Sequence, residues 1–256
     1  MARLAGKVAV VTGGAKGLGE SDVRLFIEEG AQVVITDVDT DSGQRLADEF
    51  DDEVAIFLEH DVRNEQRWQE VFAATIEKFG RIDVLVNNAG MVIPGTIENQ
   101  TTGDFQLIMS VHVEGVFFGT KHVLPYMKKA GGGSIINMTS TAAVQGERYV
   151  LAYCAAKSAI SGITRSSAVH CKQEKYNIRV NCIAPSGIDT PMVQAFGGQM
   201  EAAGIVSGAE AASPLGEAKD VAYMALYLAS DESRFVSGTT MLIDNTMTIT
   251  TGSVPL

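Results

Sequence analysis

Basic residues are in short supply: 20 Lys and Arg stand against 31 Asp and Glu, for a net charge of −11. Without a cationic excess to displace counterions, the chain is not expected to bind nucleic acid or to dock on anionic membrane surfaces. Cysteine is scarce too. Cys154, Cys171 and Cys182 are odd in number and lack the spacing of a metal site or a disulfide framework. They read as reduced thiols of a cytoplasmic protein, and no metal is expected. No segment approaches the roughly 20 apolar residues of a membrane span, and Met1-Ala2-Arg3-Leu4-Ala5-Gly6-Lys7 leads into a short apolar strand instead of a signal peptide's apolar region. Low-complexity linkers and internal repeats are also missing.

What remains is the composition of a soluble globular chain, 46% hydrophobic and 20% charged. At 256 residues it can bury a substantial core. Short runs rich in Val and Ile, at residues 7–11, 32–36, 54–58, 84–86, 134–138, 179–183 and 241–243, predict strands. Most are continuous instead of alternating, as in a parallel sheet covered on both faces. Helical patterns fall between them at 18–29, 41–50, 65–79, 104–129, 151–172 and 219–229. Alternation of this kind predicts one α/β domain over residues 1–256, a doubly wound, Rossmann-type parallel sheet of seven strands flanked by helices. Residues 186–217, rich in Gly, Ala, Met and Ser, break the pattern. We read them as a substrate lid, since long irregular segments in compact domains are often binding loops.

The first predicted strand runs into Thr12-Gly13-Gly14-Ala15-Lys16-Gly17-Leu18-Gly19, where a helical pattern begins. Gly13, Gly17 and Gly19 let the backbone turn tightly, and the helix start that includes Leu18 offers unpaired N–H groups to an anion such as a pyrophosphate. Asp37, eighteen residues after Gly19, ends the second strand. A carboxylate there accepts hydrogen bonds from ribose hydroxyls and repels a 2′-phosphate. Lys16 could serve NADP, but Val38 supplies no second cation, so NAD is the expected cofactor.

Tyr153 and Lys157 are spaced i, i+4 in Tyr-Cys-Ala-Ala-Lys and share a helix face. A free phenol titrates near pH ~10, and a fixed cation beside it is expected to lower that value towards the working range of acid–base catalysis. Ser140 lies thirteen residues upstream, at the end of an apolar run.

Taken together, these residues make the sequence similar to the short-chain dehydrogenase/reductase family over essentially the whole chain. Residues 12–19 resemble its cofactor loop, Asp61-Val62 its adenine-contacting pair, and Asn87-Asn88-Ala89-Gly90 its Asn-Asn-Ala-Gly motif. Ser140 with Tyr153-x-x-x-Lys157 resembles its catalytic signature, and Pro185-x-Gly187 followed by Thr190-Pro191 its nicotinamide-contacting turn. The resemblance implies that Tyr153 exchanges the proton on the substrate oxygen, Ser140 hydrogen-bonds that oxygen, and Lys157 lowers the phenol pKa and binds the nicotinamide ribose. It implies that Ile188, through its backbone, and Thr190 hold the carboxamide, and that the cofactor carries the hydride. A homotetramer built through the helices at 104–129 and 151–172 is the family expectation.

Three positions depart from the family pattern. His112 stands where an asparagine usually holds a water leading to the lysine. Part of that task belongs to the main-chain carbonyl, so His112 is expected to replace the asparagine, not to become a new general base; a packed histidine without catalytic duty is the other reading. Pro185-Ser186-Gly187 and Asp244-Asn245-Thr246 replace Pro-Gly and Asp-Gly-Gly. With residues 131–138 they resemble the bacterial 3β/17β-hydroxysteroid dehydrogenase branch.

The substrate wall is expected from residues 91–95, 141–151 and 192–212, with Ile93, Val144, Tyr149, Met192, Val193, Phe196 and Met200, and with Glu147 and Arg148 as nearby charges. Such a wall suits a small apolar secondary alcohol or ketone on an alicyclic, steroid-like or aryl skeleton, and not a sugar phosphate. Other classes stay open: an NADP(H)-dependent ketone reductase, a silent nucleotide-sensing regulator, and an epimerase or dehydratase. The regulator would be expected to lose Tyr153 or Lys157, and the last group runs longer with other glycine spacings.

Overall fold

The computed structural model describes residues 2–202 and 215–249. Seven strands, β1 (Val8–Thr12), β2 (Gln32–Asp37), β3 (Ala55–Glu59), β4 (Val84–Asn87), β5 (Gly133–Met138), β6 (Ile178–Pro185) and β7 (Thr240–Ile243), form one sheet. Their order is β3-β2-β1-β4-β5-β6-β7 and every pair is parallel. Every residue of β1 and β4 is buried, which is why these runs carry no polar alternation. Because the order reverses between β1 and β4, the connections leave in opposite directions and open a crevice at the strands' C-terminal ends.

The helices are α1 (Gly17–Glu28), α2 (Thr40–Ala47), α3 (Glu65–Phe79), α4 (Thr102–Met109), α5 (Gly115–Ala130), α6 (Leu151–Gln173), α7 (Pro191–Ala202) and α8 (Ala218–Ala229). One sheet face is covered by α1, α2 and α8, whose Val23, Phe26, Leu46, Val221 and Leu226 pack with Val11, Val33 and Ile35. The other is covered by α3, α5 and α6, through Trp68, Phe72, Val123, Met127 and Ala168. Fully burying side chains of this size contributes about 1.5–3 kcal/mol each, so the two layers hold the crevice edge rigidly.

Local chemistry sets the helix ends. Asp39, Asn64 and Thr101 accept from the backbone N–H of Ser42, Arg67 and Asp104 at the starts of α2, α3 and α4. Gly80 and Gly131, at φ +80° and +89°, end α3 and α5 in the left-handed region. The start of α1 differs, because Lys16 stands at its cap and its side chain makes no capping hydrogen bond to the first turn.

Two expected boundaries are corrected. The helix read at 104–129 begins at Thr102 and is interrupted by a π-type turn, Ser110–Glu114, between α4 and α5. A hydrophobic period near 3.6 cannot reveal one added residue in a turn. The helix read at 41–50 ends at Ala47, since Asp48 lies beyond its last turn. Of the expected lid at 186–217, Pro191–Ala202 is helix α7, Ile188 bridges to Gly216, and residues 203–214 lie outside the described residues.

Candidate active site

A cleft of about 590 Å³ lies along the crevice, lined from β1, β2, β4, β5 and β6 and by the helices that follow them. At its centre, Gly13 and Gly17 hold φ of +61° and +59°. A Cβ on Gly13 would stand 2.8 Å from the Ala89 Cα. Gly19 packs directly on the Gly13 carbonyl, so its place is structural and it does not line the cleft. Asn88 locks the loop, its Nδ2 donating to the Thr12 and Gly13 carbonyls at 3.0 Å each. The Thr12 hydroxyl accepts from the Asn88 and Ala89 backbone N–H groups at 3.0 and 3.1 Å. Backbone therefore approaches closely where a pyrophosphate would need it, beside a helix start with no side-chain cap.

Asp37 stands at one end, its carboxylate accepting from the backbone N–H of Ala15 (3.1 Å) and Asp39 (3.0 Å). Val38 is 66% exposed beside it. Lys16 is paired with Asp39, and Arg63 with Asp61. Both cations line the cleft, and each is already matched by a carboxylate. The Val62 carbonyl accepts from the Trp68 indole at 2.9 Å. These residues, with the glycine loop, fit a dinucleotide. Gly90, Pro185, Ile188 and Thr190 line the other end of the cleft. Gly187 does not: its carbonyl accepts from Gly216 N at 3.0 Å, and a Cβ there would stand 2.9 Å from the Leu215 side chain.

Ser140, Tyr153 and Lys157 come together at that end. Ser140 caps a short 3-10 turn, Thr141–Ala143, by accepting from Ala142 N at 3.2 Å. Tyr153 and Lys157 occupy successive turns of α6. The Lys157 Nζ donates to the Met138 carbonyl at 2.7 Å and lies 5.3 Å from the Tyr153 ring centroid. The pKa expectation is corrected here. Burial pushes the Tyr153 phenol up to about 12, with only a Ser140 hydrogen bond drawing it back. Burial also pushes Lys157 down to about 7. The cost of charge in a poorly solvated wall thus sets the direction of both shifts.

His112 lies within the π-type turn, 1% exposed, its ring edge-on to Tyr153 with centroids 5.4 Å apart. Its Nε2 is 2.8 Å from the Met91 carbonyl and 3.1 Å from the Met91 N. Nδ1 is buried without a hydrogen-bond partner among the described residues. Burial first, and then the Lys157 charge, push the imidazole down to about 3, so the ring is neutral near pH 7. Gly90 is needed beneath it, as a Cβ would stand 2.6 Å from the His112 Cε1.

Sequence reasoning missed several groups in this wall. Leu107 and Val111 line the cleft from the α4 side, while His60 and Arg63 line it at the Asp37 end. The helical spacing of Leu107 and Val111 was a readable signal; nothing local marks His60. Of the expected substrate wall, Met192 and Val193 line the cleft. Ile93 packs instead with Ile108 and Ala152, Val144 is 62% exposed, and Met200 is buried away from the cleft.

A family profile described as enoyl-(acyl carrier protein) reductase matches residues 13–248. The chain is 40% identical to 3-beta-hydroxysteroid dehydrogenase of Comamonas testosteroni over 248 residues, 96% of this chain and 97% of that one. It is 39% identical to NADP-dependent (R)-specific alcohol dehydrogenase of Lentilactobacillus kefiri over 247 residues, 94% and 96% of the two chains. The crystal structure of levodione reductase superposes with a TM-score of 0.91 at 31% identity, covering 97% of this chain and all of that one. With a glycine loop at the switch point and Ser140, Tyr153 and Lys157 on one wall of the same cleft, the chain belongs to the short-chain dehydrogenase/reductase family and is an oxidoreductase.

Proposed function

We propose that the protein interconverts a secondary alcohol and a ketone on an apolar alicyclic, steroid-like or aryl skeleton, with NAD(H) as cofactor. The carrying observation is that Ser140, Tyr153 and Lys157 line one wall of the same cleft, with Lys157 one turn behind Tyr153 on α6. Two hydroxyl donors on one wall suit a single substrate oxygen, as a carbonyl or its alkoxide requires. A bound nicotinamide would supply the hydride donor or acceptor. Tyr153 gives a proton to the carbonyl oxygen in reduction and takes it back in oxidation. Ser140 holds that oxygen. Lys157, anchored on the Met138 carbonyl 5.3 Å from the Tyr153 ring centroid, would hold the cofactor's ribose. Neutral His112, held through Nε2 at Met91, replaces the asparagine.

NAD is favoured by Asp37 at the end of β2 and by the carboxylate partners of Lys16 and Arg63. NADP is the second reading, favoured by those same two cations and by the NADP-dependent relative. Met91, Leu107, Val111, Met192 and Val193 give the substrate end an apolar wall. The trans-4-hydroxycyclohexanecarboxylate dehydrogenase of Sinomonas cyclohexanicum, 38% identical over 253 residues, fits the alicyclic class. We read the chain as one domain with α7 at the substrate mouth, cytoplasmic with free thiols, and assembled as a homotetramer through α5 and α6, on which Phe117 and Val169 stand 48% and 56% exposed.

The test is turnover of a panel of secondary alcohols and ketones, steroids and cyclohexanols included, with NAD(H) and NADP(H) in parallel. The expected result is reduced-nicotinamide absorbance from NAD, with kcat/KM for NAD at least about tenfold that for NADP. Reversal of the ratio selects the second reading. Cofactor binding without turnover of any member selects the regulator.

A further inference from the structure

Where Asp37 and Val62 meet the cleft, one imidazole connects three segments. His60 follows β3, is 2% exposed and lines the cleft. Its backbone N–H donates to the Asp37 carbonyl at 2.8 Å. Its Nδ1 lies 3.2 Å from the Thr36 hydroxyl, so both main chain and ring are tied to the end of β2. On its other side the ring stands edge-on to Trp68, with centroids 4.4 Å apart at 87°. Trp68 in turn holds the Val62 carbonyl. Burial first, and then the Arg67 charge, push the ring down to about 4, so it is neutral near pH 7 and places no charge beside Asp37. Its Nε2 is buried without a partner among the described residues, a cost that a purely structural apolar side chain would avoid.

We propose that His60 is a positioning residue for the adenosine half of the cofactor, holding the end of β2 against the Asp61–Val62 segment. It acts on binding and not on the chemical step, since it sits at the end of the cleft away from Tyr153. The inference rests on the dinucleotide reading of the cleft.

Equilibrium titration with ADP-ribose tests it, followed by the fluorescence of Trp68, the sole tryptophan, or by calorimetry. His60→Leu is expected to weaken ADP-ribose about fivefold to tenfold, the range of one lost hydrogen bond. Its kcat and substrate KM at saturating dinucleotide stay within about twofold. His60→Asn, whose amide can take the place of Nδ1, is expected to recover most of the affinity. Unchanged ADP-ribose affinity in His60→Leu, or an asparagine variant no better than the leucine one, would overturn the proposal. Should His60→Leu fail to fold, Thr36→Val removes the same hydrogen bond with little change of shape, and the same loss or its absence decides. A wild-type protein that binds neither ADP-ribose nor either dinucleotide would overturn the cofactor reading itself, and this proposal with it. Normal wild-type binding with unaffected variants overturns the role of His60 alone.

Discussion

His112 and Tyr153 share an edge-on contact but differ in what their removal should do. Tyr153→Phe removes the proton donor and keeps the ring, so kcat is expected to fall about 10²–10⁴-fold with the circular dichroism spectrum unchanged. His112→Asn restores the family's residue, and turnover is expected to rise or change little; a loss as deep as that of Tyr153→Phe would refute the replacement role. Asp22 carries a separate consequence. It is wholly buried in α1, neither carboxylate oxygen has a hydrogen-bond partner among the described residues, and burial raises its pKa well above the ordinary carboxylate value. The unfolded chain releases this proton near pH ~4, while the folded chain holds it to higher pH. Stability present below the unfolded pKa is therefore lost as pH rises towards the folded one. Asp22→Ala is expected to stabilise the protein at pH 7 by about 1–3 kcal/mol, roughly 2–4 °C in Tm per kcal/mol at this size, and by less at pH 4. Thermal melts at the two pH values check both sign and trend.

At the scale of elements, the site depends on how α1 leaves the glycine loop and how the segment from α4 to α5 passes beneath it. The first turn of α1 rests on the Gly13 carbonyl at Gly19. Gly19→Ala forces the two apart, and binding of the reduced cofactor is expected to weaken by at least about tenfold, or about 1.4 kcal/mol. Turnover at saturating cofactor should be largely kept; equal losses in kcat and affinity would argue for a wider collapse. The π-type turn Ser110–Glu114 brings His112 under Gly90 and beside Tyr153. The strands were legible to within about two residues because continuous Val and Ile runs mark a doubly covered sheet. The π-type turn was not, because it alters hydrogen bonding without altering the hydrophobic period.

At the scale of the whole molecule, the proposed tetramer rests on apolar residues left exposed on α5 and α6. Phe117→Lys combined with Val169→Lys is expected to shift sedimentation from four chains to a smaller assembly; an unchanged profile would place the interface elsewhere. The fold class and the family were determined by sequence alone, and the sequence also singled out the glycine loop and the Ser140, Tyr153 and Lys157 set that the structure brings to one cleft. Each depends on short-range constraints: glycine conformation, the period of strands and helices, and i, i+4 spacing. Only the tertiary structure decided the direction of the pKa shifts in the site, because desolvation arises when distant segments close over a group. Tyr153, expected to fall, is pushed up to about 12, and Lys157 down to about 7. Tertiary packing also decided that Lys16 and Arg63 face Asp39 and Asp61, that Gly187 turns to Gly216, and that His60 joins β2 to Trp68. Such pairings join side chains from neighbouring elements, and no local pattern of residues encodes them.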